Sequence, residues 1–424
     1  MRFLHPTLLI PVLTFLFGSC AFREPHTAIL WTDRPEFAVY AEYFNSSQDK
    51  YKIETRYFDS LTENLRESAA PAGTVSPDIV VGSWLKSAST RTLFRPLDYL
   101  FRKGAVNQDA FYARLLSLGR IEDKQYLFPV SFNIPALAFS RDNSGLLSNL
   151  FVIELEKIKT AGKAYNLETG GAYTRMGFSP SWNNEFLFVT ATLFNTSFRE
   201  ADPLAWDESA LEHAITYIRD WVEDANTSIT MEDDFAFKYF FIPPSKLAIT
   251  DRILFTYLDS AEFFTLAEEQ RDNLDFRWIA REDTIPLSEN STYYGIYKSG
   301  KAKKAATAFT QWFFREETQR RLLGECKNLR MNETIFGIAN GFSAMRTVTE
   351  QIFPQFYPSL LGHMPPQDSL SPPNILPSNW TTLKERVILP YLHNRIRAGA
   401  DSQSLERQLA DWLRINHESG GYIN

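Results

Sequence analysis

A chain of 424 residues is longer than one ordinary hydrophobic core sustains and fits two domains. Its 44% apolar and 22% charged residues exclude a disordered or fibrous chain. A net charge of -7, with no Lys/Arg cluster to offset it, speaks against a nucleic-acid partner.

The first residues, "MRFLHPTLLIPVLTFLFGSC", start with one positive charge at Arg2 and continue apolar to Phe17. The run is shorter than the roughly 20 apolar residues a spanning helix needs, so it reads as an export signal over residues 1–19. Its end, "FGSC", resembles the bacterial lipobox, with Phe17 where most such motifs carry Leu. This makes Cys20 the expected lipidated first residue of the mature chain; an ordinary cleaved signal is the alternative. Loss of residues 1–19 removes Arg2 alone, taking the charge from -7 to -8. With Cys20 acylated, Cys326 is left without a disulfide partner and reads as a small buried thiol.

After a tether over residues 20–26, "TAILW" is a strand and "RPEFAVYAEYFNSS" a helix, with Pro35 in its first turn. "YKIETRYF" is a second strand, "SLTENLRESAA" a second helix and "SPDIVVGSWL" a third strand. Strand and helix thus alternate, the pattern of an α/β sheet with helices on its faces. "QYLFPVSFNIPALAFS" is longer than one buried strand and reads as two strands joined through "SFN". The middle third is helical, with Leu211, Ile215, Ile218 and Val222 on one face. "MEDD" reads as a solvated acidic turn, "SKLAITDR" as a strand, and "DFRWIARED" and "STYYGIYKS" as two more. One long helix is expected over "KAKKAATAFTQWFFREETQRRLL", then a Pro-rich loop over 364–380. A last amphipathic helix joins Leu405, Leu409, Trp412 and Leu413.

These elements together resemble an extracellular solute-binding protein of an ABC importer, in the sugar-binding group that includes maltose-binding protein. The resemblance covers about residues 27–424. Its most specific stretch is "YYGIYKSGKAKKAATAFTQWFFREETQRRLL", where Gly295, Lys298, Ala305 or Ala306, Phe309, Phe313 and Gln319 fill the family's slots. "SPDIVVGSWL" with "FRPLDYLF", and "DKQYLFPVSFNIPALAFS", match the third strand and the crossover. Two segments depart: Ile253, Leu254 and Phe255 replace a Gly-Pro-Trp, and Ser291-Thr292-Tyr293 replaces a Gly-Gly pair.

The resemblance implies a two-lobed periplasmic-binding-protein fold, each lobe a mostly parallel sheet flanked by helices and joined by a hinge. Lobe 1 takes residues 27–134 and 274–332; lobe 2 takes 137–272 and 335–424. It implies capture of a small solute, most readily a mono- or oligosaccharide, without catalysis or cofactor. The partners it implies are a membrane permease with a cytoplasmic ATPase. A monomer held by lipid at the periplasmic face of a bacterial membrane follows. Ligands in α/β folds sit beyond the carboxyl ends of strands, and sugars want flat rings and directed hydrogen bonds. Trp31, Asp33, Ser83 and Trp84 supply both at two strand ends. Asn133 lies at the crossover; Trp182, Asn183, Asp251, Arg252 and Phe255 stand for the far lobe, and Thr292 and Tyr293 complete the set. Several have a plainer alternative: Trp31 and Trp84 as core, Asp33 and Asn183 as helix caps, Asn133 satisfying hinge backbone, Asp251–Arg252 as an ion pair.

No G-x-S-x-G, Walker, G-x-G-x-x-G or C-x-x-C pattern occurs, and no two of the six His share a metal-ligand spacing. Two other readings remain: a lipoprotein adhesin or scaffold that keeps the fold, favoured by a cleft packed shut, and a secreted carbohydrate-active enzyme. Acids clustered around the cleft point to a cationic ligand.

Overall fold

The computed structural model describes residues 25–68, 76–102, 104–147, 151–398 and 403–418. The expected signal and Cys20 lie outside them. Two sheets organise the chain. The first has six strands in the order 342–343, 127–132, 292–296, 79–82, 27–32, 52–57, and the second has four, in the order 256–259, 135–140, 274–280, 152–154. The chain passes from the first sheet to the second at Asn133-Ile134, between Leu127–Phe132 and Pro135–Ser140.

The two lobes are as expected, but the sheets are mixed rather than mostly parallel. Thr27–Thr32 pairs in parallel with Lys52–Tyr57 and Ile79–Gly82, and Leu274–Ala280 with Val152–Glu154. The strands next to each crossing are antiparallel: Thr292–Ile296 against both neighbours, and Pro135–Ser140 against both of its own. A strand that re-enters from the other lobe meets no helical crossover and so runs against its neighbour.

The expected lobe boundaries also shift. Leu274–Ala280, placed in lobe 1, hydrogen-bonds in the four-stranded sheet, and Phe342–Ser343, placed in lobe 2, edges the six-stranded one. The reason is burial on both faces. Phe276 and Trp278 join the core that holds the first sheet, whereas Ile279 joins the helical core of the second lobe. The same alternation divides Ala136 and Ala138 from Leu137 and Phe139. The four-stranded sheet is therefore the wall between two cores.

Three further elements differ from the sequence reading. Residues 244–249 are a helix, not a strand, because Pro243-Pro244 opens it with Pro at the first turn. "MEDD" lies within helix Ile229–Lys238; Glu232 is fully buried and accepts from Ser179, Ser181 and Asn226, while Asp233 pairs with Arg397. The long helix breaks at Phe314-Arg315 into Lys303–Phe313 and Glu316–Asn328. Cys326 is a buried free thiol, as expected.

Candidate functional site

At the end of the first strand the chain presents Asp33 and Arg34. Asp33 does not cap the following helix, whose N-cap is Glu36. Its Oδ2 accepts the Ser83 N–H at 3.0 Å, tying the ends of the first and third strands together. Gly82 makes this approach possible, since a Cβ there would stand 2.8 Å from Asp33 Oδ1. Burial raises the Asp33 carboxyl above its usual range, opposed by the Arg34 charge at 3.4 Å. Arg34 gathers the rest: it donates to Ser83 Oγ at 2.7 Å, Thr292 Oγ1 at 3.0 Å and the Asn290 carbonyl at 3.4 Å. One guanidinium thus joins three strand ends to the segment that crosses between lobes.

Before that arginine opens a cavity of about 690 Å³ between the lobes. Its near wall includes Asp33, Arg34, Tyr57, Asp59, Ser83 and Trp84; its far wall includes Glu200, Ser378, Asn379 and Trp412. A second cavity of about 290 Å³ shares Trp84, Asn290 and Thr381 with it and continues to Glu185, Tyr257, Asp259, Glu289 and Lys384. Trp84 stands between the two. Its φ of 63° is in the left-handed region, a strained choice for an aromatic residue that only surrounding structure can hold. Its ring packs against the second lobe's core, so the strain is stabilised across the cleft. Two hydrogen bonds also span the lobes: Glu200 accepts the Ala88 N–H at 2.7 Å, and Ser89 meets Ser378 at 3.1 Å.

Of the twelve residues singled out from sequence, Asp33, Ser83 and Trp84 line the cleft, and Thr292 stands one contact behind, on Arg34. The others do not converge there. Trp31 is core, its ring 4.6 Å from Phe58. Tyr293 is fully buried, donates to the Leu115 carbonyl at 2.9 Å and lies under the Lys86 ammonium at 4.4 Å. Asn133 holds the hinge backbone, donating to the Asn340 carbonyl at 2.9 Å and accepting from Ser260 at 2.7 Å. Trp182 donates to the Glu232 carbonyl and lies on Phe235, and Asn183 caps its helix through Phe186 N–H at 3.1 Å. Asp251 accepts from Asn143, Arg252 is solvent-exposed, and Phe255 is core. The far wall comes instead from 377–384 and the last helix, where Trp380 and Trp412 lie. No spacing near the far-lobe candidates announced this. Trp412 read only as part of a core stripe.

The family described as bacterial extracellular solute-binding protein matches residues 39–327. No curated protein sequence matches the chain. Among solved structures, the cyclic α-maltosyl-1,6-maltose binding protein of Arthrobacter globiformis aligns over 91% of this chain and 96% of its own, at TM-score 0.62 and 18% identity. The sugar-binding protein MalE of Xanthomonas citri aligns over 92% and 96%, at 0.64 and 12%. An ABC substrate-binding protein of Listeria monocytogenes, in complex with cycloalternan, aligns over 93% and 99%, at 0.59 and 14%. These likenesses establish the two-lobed fold.

Proposed function

Because the chain belongs to the bacterial extracellular solute-binding protein family, we propose that it is the solute-capturing component of an ABC importer. It takes a mono- or oligosaccharide in the interlobe cleft and hands it to a membrane permease served by a cytoplasmic ATPase. The observation that carries this is the paired cavity between the lobes, walled by Trp84 and Trp412 faces and by Asp33, Arg34, Ser83 and Asn290. Flat rings stack on the apolar faces of a sugar, and the polar groups direct its hydroxyls. The structural neighbours' own sugars support this choice. Closure of the lobes is the signal, so the solute must bind the closed form better than the open one. Lipid at Cys20 holds the protein at the outer face of the membrane, and the chain performs no chemistry of its own. The scaffold reading called for a cleft packed shut; a cavity of about 690 Å³ favours capture instead.

A thermal-shift screen of residues 21–424 against sugars, polyols and peptides tests this. A ligand at about 100 times its Kd adds about 2.7 kcal/mol, and Trp84→Ala should remove the shift. A folded protein silent across the panel would overturn the reading. Labelling with radioactive palmitate, lost in Cys20→Ala, tests the anchor separately.

A further inference from the structure

We propose that the inner cavity, entered past Trp84, takes a solute unit that carries a protonated amine. This rests on the reading of the cleft as a solute site and names the chemistry of what enters it. The first observation is where the charge lies. The two cavities together are lined by nine carboxylates (Asp33, Asp59, Glu63 and Glu200 outside; Glu185, Asp259, Glu262, Glu289 and Glu385 inside) against Arg34, Arg66 and Lys384. Nine acids and three bases leave a net of -6, compared with -7 for the whole chain. Nearly all of the excess charge is therefore gathered at the cleft, where low-dielectric walls focus its field.

The second observation is a polar group left open. Tyr257 lines the inner cavity with 9% of its surface exposed, and among the described residues its hydroxyl has no hydrogen-bond partner. Burial raises that phenol well above its usual range, and Asp259, Glu185, Glu262 and Glu289 raise it further, in that order. An unpaired hydroxyl that lines one cavity with four carboxylates is a place where a donor-rich cation would find both acceptor and charge.

The cavity wall already shows how an ammonium is held there. Lys384 Nζ reaches Glu185 at 2.6 Å, pairs with Glu289, and lies over the Phe188 ring at 4.2 Å. Carboxylates with an aromatic face are a combination that suits ammonium ions. Lys384 serves only Glu185 and Glu289. Asp259, Glu262 and Glu385 have no ion-pair partner among the described residues; the first two only accept each other's backbone N–H. A neutral hydroxyl can donate to these carboxylates but leaves three negative charges uncompensated, whereas an ammonium both donates to them and neutralises them.

The test titrates residues 21–424, near neutral pH, with glucosamine oligosaccharides, their N-acetylated counterparts of equal length, and spermidine, read by calorimetry and thermal shift. The free amines should bind at least about tenfold tighter than the acetylated forms. That preference should shrink in about 0.5 M salt. Tyr257→Phe and Glu262→Gln should each reduce it while leaving the unliganded melting temperature nearly unchanged; Glu262 is exposed, so its variant folds whatever happens at Tyr257. Equal or tighter binding of the acetylated sugars would overturn the inference and leave the solute site standing. A folded protein that binds none of the probes would overturn both.

Discussion

At the residue scale the informative groups are those whose partners are missing. Lys86 is 6% exposed, no acid among the described residues lies within ion-pair distance, and its contact is the face of Tyr293. Burial lowers its pKa from 10.5 to about 7. A depressed pKa gives stability that is present above the unfolded value and lost as pH falls through the folded one. Lys86→Met, which keeps the volume, should therefore stabilise the protein by about 3 kcal/mol more near pH 6.5 than near pH 9.5. Equal gains at both pH values in urea titrations would contradict this. Asp259 behaves oppositely, because burial raises its pKa from 3.8 to about 6. Its contribution is fully present below 3.8 and is lost as pH rises through about 6. Asn keeps the cap on Glu262 N–H. Asp259→Asn should be neutral near pH 3.5 and stabilising by up to about 3 kcal/mol near pH 7. No gain at the higher pH would mean the carboxylate is better solvated than its position implies.

At the scale of elements, close backbone approach decides what side chains are tolerated. Gly177 lies against helix Leu155–Tyr165, where a Cβ would stand 2.2 Å from the Gly162 carbonyl oxygen. The Leu254 and Phe255 N–H groups both bond the Gly177 carbonyl, so the strand-like segment cannot withdraw. Gly177→Ala should lower stability by about 1–3 kcal/mol, seen as a lower denaturant midpoint; a loss under about 0.5 kcal/mol, the range of ordinary surface changes, would show that the helix yields. The elements themselves were largely legible. Alternation of strand and helix up to residue 82 follows from hydrophobic spacing, and Asp207 caps helix Glu208–Asn226, whose buried face holds Leu211, Ile215, Ile218 and Val222 as expected. Residues 244–249 were misread because a short apolar run has no distinct period. The Pro243-Pro244 pair before it was the available signal.

At the scale of the molecule, the cross-cleft contacts determine how open the unliganded protein is. The Glu200 bond to Ala88 N–H and the Ser89–Ser378 bond are made only when the lobes are near one another. Neither supports a core. Glu200→Ala should enlarge the radius of gyration of the free protein in small-angle X-ray scattering while changing its stability by less than about 0.5 kcal/mol. Saturating ligand should restore the compact value, as a population shift requires. An unchanged radius without ligand would mean that Trp84, the Ser89–Ser378 bond and the hinge hold the closure without Glu200. The same scale explains the two-core arrangement, in which the four-stranded sheet sends Phe276 and Trp278 to one side and Ile279 to the other. The hinge itself is built on Asn133, with Ser260 and Asn340 as its partners.

The sequence alone carries the local periodicities, the order of strands and helices, and, through motifs such as "YYGIYKSGKAKKAATAF", membership in a two-lobed family. It also placed Asp33, Ser83 and Trp84 at strand ends facing the cleft, because the ligand side of an α/β sheet is a property of chain direction. Packing of the folded chain is what turns Trp31 and Tyr293 into the core while Arg34, Tyr257 and Trp412 face the cavities. The physical reason is that a strand's alternation says its faces differ without saying which one a neighbour covers. The far wall was illegible for a related reason. It is formed by 377–384 and the last helix, more than 290 residues beyond Trp84, and only folding of both lobes brings them to it.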